Sequence, residues 1–290
     1  MTGFASLGSG SRGNGTLVEI GGELILVDCG FTLKQAERRM ARLGVRPGDL
    51  SAILVTHEHS DHSSGVAALA HEYVIPVYAS FGTLKGTGWR VRGEVFDSHR
   101  PFRIGAVSVN PVIVPHDARE PTQFTFEHGN VRLGVVSDLG HVTPFVCQQF
   151  SNCQGLLMES NYDVPMLLGG RYPESLKRRI VSNLGHLSNH QAAAFLGQVA
   201  HPGLQVVVGH VSEHNNHPEL LEAAFEPFRE RVADLTFATQ SRGVDWIDIG
   251  AGDPTAGAAG AAGAAGSAGA MGAMGAMGAV GAISRSRSLF

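Results

Sequence analysis

Thr56-His57-Glu58-His59-Ser60-Asp61-His62 closes the apolar run Ser51-Ala52-Ile53-Leu54-Val55 and decides how this 290-residue chain is read. Its form is H-x-H-x-D-H. Three imidazoles and the Asp61 carboxylate crowded into one short segment are costly to bury without a shared cation. The apolar run predicts a buried strand over 51–56 that delivers these side chains to a loop. Where a strand becomes a loop, alternate side chains point to different sides of one pocket. His57 and His59 can then serve one metal while Asp61 and His62 serve a second. Imidazole with carboxylate suits zinc, manganese or iron. A lone His-x-His is often a surface accident, whereas the whole pattern is specific.

Outward from this loop, 16–20 and 24–28 read as strands joined by the turn Gly21-Gly22. A helix is expected over 32–43, capped by Thr32 and closed by Gly44. Another follows over 63–73. Strands are expected at 107–114, 123–126, 131–137 and 155–159, then at 204–208, 235–238 and 244–247. Helices are expected at 173–183, 190–200 and 218–232. Strands followed by helices, twice over, suggest two sheets packed on each other with helices outside.

The net charge of −4 gives no global basic field, so any nucleic-acid contact must come from a local patch. Three cysteines, none in a Cys-x-x-Cys pair, argue against a disulfide framework and fit a reducing, cytoplasmic setting. The first ten residues lack the basic start and apolar run of a signal peptide. Composition changes sharply near Gly250. From Gly257 to Gly281 every third residue is glycine, with mostly alanine and methionine between. The chain is expected to divide into a folded domain, 1–250, and a low-complexity tail, 251–290, that stays disordered. The tail is too poor in large apolar residues for a membrane span, and it lacks the proline of a collagen-like helix. No stable membrane insertion is expected.

The histidine segment resembles the signature of the metallo-β-lactamase superfamily, and further residues follow in that superfamily's order. Asp28, in Leu-Val-Asp-Cys-Gly, resembles the structural aspartate that supports the histidine loop from behind. His116, in Val-Pro-His-Asp-Ala, matches the third ligand position. Asp138, in Val-Val-Ser-Asp-Leu-Gly, matches the aspartate that bridges two metals. His210, in Val-Val-Val-Gly-His, matches the last histidine. The resemblance covers roughly residues 3 to 249. It implies a mixed α/β fold of α+β type, an αββα four-layer sandwich, with metals at one edge between the sheets. The implied ligands are His57, His59, Asp61, His62, His116, Asp138 and His210, around two divalent ions, zinc or manganese. Two such ions lower the pKa of a shared water, so a bridging hydroxide becomes the nucleophile, with Asp61 among the catalytic groups. They also neutralise charge that develops on substrate oxygens.

Four passages resemble the YycJ (WalJ/VicX) group more narrowly. They are Ser6-Leu-Gly-Ser-Gly-Ser-Arg-Gly-Asn14; Ser137-Asp-Leu-Gly-His-Val142; Glu159-Ser160-Asn161 with Tyr172-Pro173 and Leu176–Ile180; and Gly185-His-Leu-Ser-Asn189 with His210–Asn216. That group is associated with 5′→3′ exonuclease action on DNA and stands near RNase Z-type nucleases. The chain departs from it at Tyr162, where the group tends to carry histidine; the phenol can still donate a hydrogen bond. Ser9, Ser11 and Asn14 lie in a glycine-rich loop whose free N–H groups can cradle a phosphate, or which is simply a tight turn needing small residues. Ser188, Asn189, Ser212 and Asn215 are further candidates for contacting substrate. His186, in a loop before a helix, is the candidate general acid, with His141 a weaker alternative. Lys177-Arg178-Arg179 is a local basic run, either a solvated face or a phosphate contact. DNA or another phosphodiester is the expected partner. Two other readings stand beside this one: a hydrolase of small phosphodiesters, lactones or thioesters, and a non-catalytic regulator that keeps the fold.

Overall fold

Alternation along the strands sorts the apolar side chains into three cores. In the computed structural model, which describes residues 1–89, 91 and 93–250, the first sheet contains β1 (Gly3–Gly8), β2 (Gly15–Ile20), β3 (Glu23–Val27), β4 (Ala52–Val55), β5 (Val77–Ala79) and β6 (Gly93–Val95). The second contains β7 (Phe102–Ile104), β8 (Val107–Ile113), β9 (Thr122–His128), β10 (Val131–Val136), β11 (Gly155–Glu159), β12 (Gln205–Gly209) and β13 (Asp234–Phe237). β14 (Val244–Asp248) returns to the edge of the first sheet beside β1. Each sheet has seven strands, in the orders β14-β1-β2-β3-β4-β5-β6 and β13-β12-β11-β10-β9-β8-β7.

Val18, Ile25, Val27 and Leu54 of the first sheet meet Val109, Phe124, Val135 and Leu157 of the second in a central core. Their sequence neighbours Leu17, Leu26, Ile53 and Val55 point the other way, onto helices Leu33–Arg42 and Val66–Tyr73. On the far side, Leu156, Met158, Val206 and Val208 pack against helices Pro144–Phe150, Asn189–Val199 and Pro218–Phe225. Three cores between four layers make the αββα sandwich. Among the described residues no helix is long and apolar enough to cross a membrane. The tail expected to be disordered, 251–290, lies outside the described residues.

Two expected helices are broken, each for a local reason. The helix expected over 63–73 is split into Ser60–Ser63 and Val66–Tyr73. Gly65 sits between them, and a Cβ there would lie 1.8 Å from the Phe31 carbonyl oxygen, so the chain is pressed onto the loop after β3. The helix expected over 218–232 ends at Phe225 and continues as a 3-10 turn, Glu226–Arg231. Pro227 within that turn has no N–H to give and its ring clashes with an α-helical carbonyl.

The parallel strands position the site. β3 and β4 run parallel in the first sheet, as do β10, β11 and β12 in the second. Their carboxyl ends open on one edge, where crevices of α/β sheets collect ligands.

Candidate metal centre

β11 ends at Glu159; β3 leads to Asp28, β4 through Thr56 to His57, β12 to His210, and β10 through Ser137 to Asp138. His116 follows β8 and His186 precedes the helix that begins at Asn189. The structure therefore gathers every sequence-predicted ligand at one edge. His57, His59 and His116 can place one nitrogen each within 4.8 Å of one another, and so can the donors of Asp61, His62 and His210. Asp138 lies between the groups: its Oδ2 is 2.9 Å from His62 Nε2, and its Oδ1 is 3.7 Å from both His116 Nε2 and His210 Nε2.

Hydrogen bonds behind these residues fix which nitrogen each presents. The Thr56 hydroxyl donates to Asp28 Oδ2 at 2.7 Å, so it can only accept from His57 Nδ1, 2.9 Å away. His57 Nε2 is left bare, fully buried and without a hydrogen-bond partner. A buried imidazole nitrogen with no partner is expensive unless a cation takes its lone pair. His62 Nδ1 donates to Asp28 Oδ2 at 2.7 Å, turning its Nε2 to the cluster. His116 Nδ1 donates to the Gly185 carbonyl at 3.0 Å, with the same effect. Asp28 thus orients His62 directly and His57 through Thr56, the supporting position expected for it. The donor set and the bare nitrogen fit divalent cations.

Electrostatics point the same way. Burial penalises charge on His57, and the His62 charge adds to this, so its imidazole is held well below the usual range and stays neutral. Burial also opposes charge on His210, but Asp138 and the hydrogen bonds to Asp61 and Glu159 prevail and lift it to about 10. His62 is likewise raised, burial being outweighed by Asp138, Asp61 and Asp28. Burial works against ionising Asp61 and Asp138, yet the surrounding imidazolium charges keep both carboxyls well below the carboxylate range.

Glu159 is a member of the site that the sequence reading left without a role. Its Oε1 accepts from Leu139 N at 2.6 Å and Leu187 N at 3.1 Å, while Oε2 faces His186 Nδ1 at 3.1 Å and His210 Nδ1 at 3.4 Å. A carboxylate ending the otherwise apolar strand Gly-Leu-Leu-Met-Glu was the signal available for it. His186 joins Asp138, Glu159 and His210 in a further donor group and lies in the cleft wall. His141 instead binds the Asn183 carbonyl with its Nδ1, at 2.9 Å.

The substrate candidates divide. Ser11, Ser212 and Asn215 line a cleft of about 350 Å³ over the centre, together with Asp117 and Arg179, which form an ion pair. Ser9 and Asn14 are buried inside the opening loop. Ser9 Oγ accepts from His210 N at 2.7 Å, and Asn14 Oδ1 accepts from Gly10 N at 2.9 Å. Ser188 caps the helix Asn189–Val199, and Asn189 bonds Ser160 and Asn216 in the interior. Of the two readings of the opening loop, the tight turn fits its hydrogen bonding. The N–H groups of Ser9, Gly10, Arg12, Gly13 and Asn14 are all committed within the protein, to Thr239, Asn14, Gln240, Gly10 and Asp61 respectively. Small residues are needed there for close approach: a Cβ on Gly13, whose φ is +149°, would lie 2.6 Å from the Gly30 carbonyl oxygen. Tyr162, where the chain departs from the YycJ group's histidine, lies in the interior. It is 3% exposed and packs with Leu167, Ile180 and Leu176 instead of lining the cleft. Of the basic run, Lys177 is buried against Glu174 and the Leu168 carbonyl, and Arg179 reaches the cleft.

Residues 8–217 match the Metallo-beta-lactamase superfamily. The chain is 36% identical over 224 residues to exodeoxyribonuclease YycJ of Bacillus anthracis, covering 75% of this chain and 85% of that protein. It is 34% identical over 226 residues to exodeoxyribonuclease WalJ of Streptococcus pneumoniae, covering 75% and 84%. Among solved structures it resembles the metallo-β-lactamase fold protein YhfI of Bacillus subtilis, with a TM-score of 0.63 at 14% identity over 84% of this chain and 98% of that one. This last likeness concerns the fold.

Proposed function

Since the chain belongs to the metallo-β-lactamase superfamily, we propose that it is a phosphodiesterase acting on DNA, a 5′→3′ exonuclease that works with two divalent cations, zinc or manganese. The observation that carries this reading is the pair of three-donor groups on either side of Asp138, beneath an open polar cleft. The likeness to two proteins named exodeoxyribonucleases supports the choice of substrate.

His57, His59 and His116 would hold one cation and Asp61, His62 and His210 the other, with Asp138 between the two donor groups. Cations bound there would supply an acidified water and neutralise charge growing on the phosphoryl oxygens. The chain's own groups do the rest. Glu159 fixes the His186 ring through Nδ1, so His186 can carry a proton on Nε2 to the departing oxygen. Arg179, exposed at the cleft wall and tethered to Asp117, offers a guanidinium to a non-bridging phosphate oxygen. The free thiols of Cys29, Cys147 and Cys153 fit a reducing setting and support the cytoplasm as the place of action.

The test is a cleavage time course on end-labelled duplex DNA bearing a 5′ phosphate, with Mn²⁺ or Zn²⁺, run beside Asp61→Ala. Progressive shortening from the 5′ end, lost in the variant, is expected. Cleavage that survives Asp61→Ala unchanged would expose a contaminating nuclease. No cleavage by a protein shown to hold metal would move the substrate to small phosphodiesters or esters.

A further inference from the structure

Tyr172 stands between two depressions. With Asn215 it lines the metal cleft, and the same two residues line a second cavity of about 720 Å³ bounded by Met166, Gly170, Arg171 and His214. The two cavities therefore adjoin, with an aromatic ring at their shared wall. That ring is only partly buried, and the buried Leu167 and Ile180 with Leu176 support it from below. His214 forms a T-shaped pair with it, centroids 6.2 Å apart and planes at 76°. Gly170 keeps the floor beside it low, since a Cβ there would come within 2.8 Å of the Met166 carbonyl oxygen and 3.0 Å of Asn215 Oδ1.

Charge on this face is uneven. Arg12 pairs with Glu213, Lys177 with Glu174 and Arg179 with Asp117. Arg171 is exposed and has no ion-pair partner among the described residues. A supported ring, an imidazole beside it and an unpaired guanidinium match the parts of one nucleotide. Bases stack on aromatic side chains whatever their identity, and cations meet the backbone phosphate.

The geometry points to the second cavity as a subsite for the nucleotide next to the scissile linkage, its base stacked on Tyr172 and its phosphate met by Arg171. This rests on the nucleic-acid reading above. It makes binding depend on strand length but not on sequence. A phosphodiester too small to cross Tyr172 gains nothing from it.

The experiment uses the metal-loaded full chain and single-stranded oligonucleotides with 2-aminopurine at the first or the second position, with a phosphorothioate at the terminal linkage to slow turnover. Wild type and Tyr172→Phe should quench the fluorescence of one of the two probes. Tyr172→Ala should bind about tenfold more weakly and lose the quenching, as expected for one lost base–aromatic stack. Arg171→Ala should keep the quenching, bind more weakly at low salt, and lower the salt dependence by about one phosphate contact. This second variant keeps the test usable if Tyr172→Ala misfolds. Equal affinity and quenching in wild type and Tyr172→Ala would overturn the subsite and leave the nucleic-acid reading standing. Failure of wild type to bind any probe would overturn both.

Discussion

Glu159 holds two rings of the centre with one carboxylate. Two backbone N–H groups fix Oε1, so Oε2 is committed to His186 and His210. Glu159→Gln puts an amide N–H where those ring nitrogens need an acceptor. Loss of such support typically costs about 10–100-fold in metal affinity or activity. Competition with a metallochromic chelator should show that loss, with thermal stability largely kept; wild-type affinity would rule out the supporting role. The raised imidazoles give a second expectation. In chelator-treated protein His210, at about 10, and His62 carry protons at neutral pH. Cation binding requires neutral nitrogens, so loading should release protons near pH 7.5 and affinity should rise with pH. A weakly buffered dye assay showing no release would contradict this. The sign for the stripped fold is opposite. A raised folded-state value stabilises fully below the ordinary 6.5 and loses that contribution as pH climbs through about 10. His57 contributes no proton, because burial keeps it neutral. At this scale the candidate ligands that the fold gathers were legible because their spacing is local around His57–His62 and each distant one follows a strand. Glu159 and the packing of Tyr162 were not, since one sequence does not say which side of a strand end meets the pocket.

Ser188 shows how an element can claim a side chain that looks available for substrate. Its hydroxyl accepts from Gln191 N at 3.3 Å, and Gln191 Oε1 accepts in turn from Ser188 N at 2.9 Å, closing a capping box. Ser188→Ala should cost about 1 kcal/mol, typical for a lost N-cap. That corresponds to a midpoint lower by about 2–4 °C in a domain of this size. DNA cleavage at 25 °C should be unchanged; a raised KM without loss of stability would return Ser188 to the substrate. Strand ends carry a different burden. Asp28, Asp138 and His210 have φ of 61°, 50° and 51°, in the left-handed region. Such residues cost of the order of 1–3 kcal/mol each and persist where their surroundings over-determine them. Here the hydrogen bonds to Thr56, His62 and Ser9 do so. Short β-rich runs joined by a glycine turn, such as β2 and β3, were readable from the sequence. β1, Gly-Phe-Ala-Ser-Leu-Gly, was hidden by its glycines and serine, which favour turns. β5, β6 and β7 have three residues each, too few for a period to register.

The whole molecule divides its ligands between its sheets. His57, His59, Asp61 and His62 follow β4 of the first sheet, while His116, Asp138 and His210 follow strands of the second. The element pattern suggested two packed sheets with helices outside, and the resemblance sharpened this to four layers; which strands pair over long separations leaves no local mark. The order of strands, with β14 returning to β1 across the whole domain, was not readable. Cations that bind only the folded chain stabilise it by mass action, about 4 kcal/mol at a thousand times Kd. Removing them with a chelator should lower the unfolding midpoint by roughly 10 °C. An unchanged midpoint, with metal shown to have left, would mean that the sheets hold without it.

That division also makes the centre a rivet. The three thiols are free, and a cation held between donors of both sheets would clasp distant parts of the chain. A clasp of this kind opens without breaking a covalent bond. The lifetime of the protein against proteases would then follow the availability of metal around it, and a starved cell would clear this chain faster than a replete one.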